Sequence, residues 1–203
     1  MKFNVKQETM NAVGFIIYRT DYSDEEQWNR FMRFPNNQAH RGLIANGKRD
    51  MIQHLDWKVQ VRRVTIGAHE YDIDDSQSDP DLQDAGPMEI REHFNRWLES
   101  GEEPIQDNYR YMACVLVDKS SLNCVDLWME DKTYEDDKST LFDSQGITSV
   151  CLVSRDESEG EFDVGVSYLF PDVAFLIQME GDEYGTAWEQ VAVPLGKVAT
   201  PWR

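Results

Sequence analysis

The sequence has no apolar run near the ~20 residues that a membrane-crossing helix needs. Its only short apolar stretch near the start, 12–18, is interrupted by Gly14 and followed by Arg19, with no small-residue cleavage site. That pattern predicts a strand rather than a signal peptide. Cysteine is scarce: Cys114, Cys124 and Cys151 are the whole supply, and no CxxC pair occurs. An odd, dispersed set of thiols predicts a reduced, cytoplasmic or nuclear protein that is not secreted. Positive charge is also short, with 20 Lys and Arg against 38 Asp and Glu and a formal net charge of −18. Such an excess repels phosphate backbones and anionic lipid, so nucleic-acid and membrane partners are not expected.

The motifs of common chemistry are missing as well. No GxxxxGK[ST] or GxGxxG loop is present, and the acids between Gly181 and Gly185 mark a turn. Gly165-Val166-Ser167 begins like a nucleophile elbow, but Leu169 stands where the elbow needs a second small residue. His40, His54, His69 and His93 fall in four separate elements, with no HxH or HxxxH pair to seed a zinc site. The acids Asp72, Asp74, Asp75, Asp79, Asp81 and Asp84 do not follow the calcium-loop pattern. Counting from Asp72, loop positions six and twelve hold Gln77 and Gln83, not Gly and Glu. No catalytic, cofactor-binding or metal-ligating set is therefore assigned.

What is present is core material. Six Trp, nine Phe and eight Tyr stand in 203 residues, and a chain of this length buries roughly 70% of its unfolded surface. One α+β domain over 1–203 is expected, with an acidic loop insert at 70–86 and an irregular C-terminal arm at 182–203. The first strand is predicted at 12–20. A helix follows, with Ser23 as its cap and Glu26 at capping-box spacing. Pro35 is expected to kink or restart that helix, and Asn46-Gly47 to end it. A second strand is predicted at 55–66, a helix from Pro87 to Gly101, and a strand at 109–118. Residues 120–128 read equally as helix or strand. Strands at 147–154 and 162–170 form a hairpin, and Pro171 opens a last helix over 172–180. This order predicts a ferredoxin-like α/β sandwich: a mostly antiparallel sheet with helices packed on one face.

Proton-transfer pairs can be argued only for His54 with Asp56 and His69 with Glu70, while His93 with Glu89 has ion-pair spacing. Cys114 and Cys151 read as buried hydrophobes, and Cys124 flanks a turn. Trp28 and Trp97 read as helix core, whereas Trp188 and Trp202, in the polar tail, are the better interface anchors.

Five segments, GFIIYRTDYSDEEQWNRFM (14–32), LDW (55–57), IREHFNRWLES (90–100), RYMACVLVDKSSLNCV (110–125) and DVGVSYLFPDV (163–173), together resemble a widespread group of uncharacterised proteins of filamentous fungi. The insert at 61–84 is longer than in that pattern. The resemblance implies a fungal, intracellular origin and an α+β fold, and it carries no activity or site residue.

The expected function is a non-catalytic binding or interaction module, with a protein partner or a homodimer. The first alternative is a small-molecule binder or enzyme with a pocket between sheet and helices, using His54, His93, Tyr18 or Tyr111. The second is an acidic decoy for a basic protein groove.

Overall fold

The computed structural model describes residues 13–60, 65–66, 69–70, 82–101, 108–130, 142–178 and 188. The predictions at 71–81, much of the C-terminal arm and Trp202 lie outside the described residues. Five strands form an open sheet in the order β2-β1-β5-β6-β7. β1 is Ile16–Arg19, β2 Lys58–Gln60, β5 Ala113–Val117, β6 Ser149–Ser154 and β7 Glu161–Gly165. A separate two-stranded pair joins β3 (Thr65–Ile66) to β4 (His69–Glu70).

The sheet is mixed, not mostly antiparallel. β1 runs parallel to both β2 and β5, while β5–β6 and β6–β7 are antiparallel. The parallel half follows from the helices between the strands, since parallel neighbours need a crossover. α1 (Glu25–Ala45) carries the chain from β1 to β2. α2 (Pro87–Ser100) carries it back over β1 to β5. Right-handed crossovers running in opposite directions place their helices on opposite faces. So the helices do not share one face, and among the described residues no ferredoxin-like arrangement is seen.

The strand faces match this division. Phe15, Ile17, Val115 and Val117 point into the larger core, with Trp28, Phe31, Phe34 and Leu43 of α1 and with Leu122 and Val125 of α3 (Lys119–Glu130). Ile16, Tyr18, Cys114 and Leu116 point the other way, against Ile90, Phe94, Trp97 and Leu98 of α2. Alternation along a strand sends successive side chains to opposite faces, and here both faces are apolar.

Local signals set the helix ends, with some departures. Asp24, not Ser23, caps α1, its carboxylate accepting from Gln27 N at 2.9 Å. Pro35 does not restart α1, which runs through it to Ala45 with Asn46 as its cap. Pro35 is buried, so tertiary packing outweighs the lost N–H. α2 starts at Pro87 and stops at left-handed Gly101, as expected. The 120–128 ambiguity resolves as helix, capped by Asp118 accepting from Ser121 N at 2.8 Å. The predicted 162–170 strand stops at Gly165. Val166–Tyr168 turns helical (α4), the backbone extends at Phe170, and α5 spans Ala174–Gln178. The peptide bond between Phe170 and Pro171 is cis.

The start of β1 is bolted to distant segments. Gly14 N donates to the Tyr109 hydroxyl at 2.8 Å. The buried Arg110 guanidinium donates to Gly14 O, Asp56 O and Asp56 Oδ2 at 3.1, 2.8 and 3.0 Å. Gly14 has φ +126, and a Cβ there would stand 2.5 Å from Asp56 O, so only glycine fits.

Candidate functional site

In a sheet of this kind the strand order reverses between β1 and β5. Ligands of open α/β sheets bind at the carboxyl ends of strands beside such a reversal. Here those ends carry Thr20, Asp21 and Ser23 after β1, and Asp118 and Lys119 after β5. Lys119 Nζ lies 2.8 Å from Gln27 Oε1, 3.1 Å from Ser23 Oγ and 3.5 Å from Asp21 Oδ2. Burial opposes the charge on Asp21. The Ser23 bonds and the Lys119 ammonium overcome this and hold its carboxyl below the usual range. Asp84 N donates to Thr20 O at 2.9 Å, which holds residue 84 against the end of β1, and Thr20 N donates to Val117 O at 3.0 Å, which continues the β1–β5 ladder. Beneath this crevice, Arg19 is buried, donates to Asp21 O and Glu25, and lies 4.8 and 4.9 Å from the Trp28 and Tyr22 ring centroids.

The sequence-predicted groups are distributed unevenly around this site. Tyr18 and His93 do meet: His93 Nδ1 is 3.2 Å from the Tyr18 hydroxyl on the α2 face. Burial first, then neighbouring Cys114, pushes the Tyr18 phenol far above its ordinary range, and Arg96 offsets only part of this. Glu89, one helical turn before His93, accepts from Gly86 N at 3.1 Å at the start of α2. His54 and Asp56 are not joined by a hydrogen bond. His54 Nε2 lies 3.1 Å from the Gln53 amide, and Asp56 takes Arg110. His69 belongs to β4, and its side chain lies outside the described residues. His40 is half-buried on α1, and Tyr111 is buried in the α2-side core.

The thiols are unpaired. Burial drives Cys114 well above its ordinary range. Burial, then Asp163 and Glu161, pushes Cys151 up to about 12, and it is half-buried rather than fully buried. Such thiols are poor nucleophiles at neutral pH. Cys124 lies within α3, not at a turn. Ser167 is buried and donates to Gln38 Oε1 at 3.0 Å, which is a packing role. Trp188 is buried edge-on against Phe162, and its indole N–H donates to Glu159 O at 2.6 Å.

Among the described residues, no three His, Cys, Asp or Glu side chains converge as metal ligands. Among the same residues, no helix is long and apolar enough to cross a membrane.

Sequence reading missed Asp21, Asp118 and Lys119. Their signal was an acid within two residues of the end of each strand, IIYRTD and CVLVDK. It becomes legible only once β1 and β5 are known to be parallel neighbours. The comparisons with known proteins add no assignment: no family model, curated protein or solved structure matches this chain.

Proposed function

We propose that this chain is a non-catalytic intracellular binding module that engages a protein partner of basic character. One observation carries the reading: the charged groups at the β1–β5 crevice are engaged by the chain's own atoms. Lys119 is shared among Asp21, Ser23 and Gln27, and Asp118 caps α3. A proton-transfer or nucleophilic step needs a group poised toward substrate, and these are poised toward each other.

The net charge of −18 supplies the complementary surface. Asp156, Glu157, Glu159, Glu161 and Asp163 are exposed along the β6–β7 hairpin. β7 is the last strand of the five-stranded sheet. Acids on an edge strand oppose pairing with a second copy through that edge and favour a basic segment.

An array of immobilised basic peptides, equal in charge and different in sequence, tests this. Saturable binding to some sequences, lost as salt is raised, is the expected result. Equal weak binding to every peptide, or binding insensitive to salt, overturns the proposal.

A further inference from the structure

We propose that the seam between β2 and α2 is a binding site for a small carboxylate. Two side-chain donors are buried there without an acceptor among the described residues: Gln60 Nε2 and Trp97 Nε1. Gln60 is 6% exposed and Trp97 7%. A buried N–H that makes no hydrogen bond forfeits its hydration without recompense, so two on one seam call for an occupant.

Their neighbours identify its chemistry. Gln60 stands beside Tyr18 in the parallel register, and Lys58 beside Ile16, so both project to the α2 face. The Lys58 ammonium lies 4.9 Å from the Trp97 ring centroid. His93 touches Tyr18 one helical turn before Trp97. The seam thus sets the Lys58 ammonium and the Tyr18 phenol beside two N–H donors. That set fits an acceptor-only, negatively charged group.

A carboxylate fits better than a phosphate. It is planar, and its two oxygens accept from side-chain N–H groups while an ammonium neutralises its single charge. Phosphate sites favour backbone N–H groups at helix N-termini. Trp97 lies in the last turn of α2, where the helix dipole disfavours multiple negative charge.

Indole N–H resonances of the full chain read the site directly, and the Trp97 peak is the one that Trp97→Phe removes. The probes are acetate, succinate and citrate, with inorganic phosphate and ethylamine alongside. The expected result is a saturable downfield shift of the Trp97 peak with at least one carboxylate. Gln60→Met and Lys58→Met, each checked for folding by the remaining indole peaks, weaken that binding about tenfold or more. A Trp97 peak unmoved by every carboxylate overturns the proposal. So does an equal response to phosphate, or undiminished binding in both folded variants.

Discussion

The two faces of the sheet use the same strands but differ in kind. The α1–α3 face is broad and closed by several elements: α1, α3, α4, α5 and the Phe170–Pro171 bend all contribute to it. Gln27 ties α1 to α3 through Asn123 and Asp126, and Arg30 makes a paired contact with Asp126 at 3.0 and 3.1 Å. Among the described residues, the α2 face is narrower and is covered chiefly by one helix. Polar groups are buried on both faces: Tyr18, Gln60 and Cys114 on the α2 side, and Gln38, Asp143, Thr148 and Ser167 on the other. The contrast teaches that the faces differ in how many elements pin the helix that covers them, not in polarity.

Matched truncations give the sharpest test of that difference. Phe31 and Phe94 are both buried, one on each face. Phe31→Ala is expected to cost about 4–5 kcal/mol and Phe94→Ala about 3 kcal/mol, read by urea denaturation. The reason is relaxation: α2, with fewer neighbours, can settle into the vacated space, whereas α1 is pinned. Equal costs would erase the distinction between the faces.

A smaller effect separates hydrogen bonding from packing on the α2 face. Tyr18→Phe keeps the ring against Phe94 and His93 and removes only the hydroxyl beside His93 Nδ1. A loss of about 1 kcal/mol is expected. A loss as large as that of Phe94→Ala would mean that the hydroxyl organises the whole face.

The smallest effect is electrostatic and lies at the β7 edge. Burial, then the Asp118 carboxylate, raises the Asp163 carboxyl. The folded chain therefore holds that proton more tightly than the unfolded chain does. Stability from this group falls as pH rises from the ordinary carboxylate value, ~3.9, through the raised one. Asp163→Asn should raise Tm slightly at neutral pH and lose that advantage in acid. A variant less stable at neutral pH would show that the carboxylate makes a favourable contact.

How much of this could be read from sequence depended on the range of the interaction. α2 was legible from Pro87 to Gly101 because proline and glycine act locally on the backbone. The α1 cap was missed by one residue, since Ser23 and Asp24 are both competent caps and geometry selects between them. Continuity through Pro35 was not legible, because it depends on burial against elements far away in the chain. FDVGVSYLF looks like one strand by composition, yet the helical turn begins at Val166 within it. A short apolar run carries no period that distinguishes the two. The partners of β1 were the largest gap. Nothing in IIYR states that it pairs in parallel with KVQ and ACVLV, so the carboxyl-end site and the meeting of Tyr18 with His93 stayed hidden.

The position of β1 also has a consequence during synthesis. Ile16 pairs with Cys114, about 100 residues later, and Arg110 and Tyr109 clamp Gly14 across a similar distance. A nascent chain leaving the ribosome can offer β1 a partner on one side once β2 emerges, but must carry the other edge of its most apolar early segment unpaired until β5 follows. Over that interval the exposed Phe15–Tyr18 stretch is the natural target of a holding chaperone, and slow translation before residue 113 would prolong the wait.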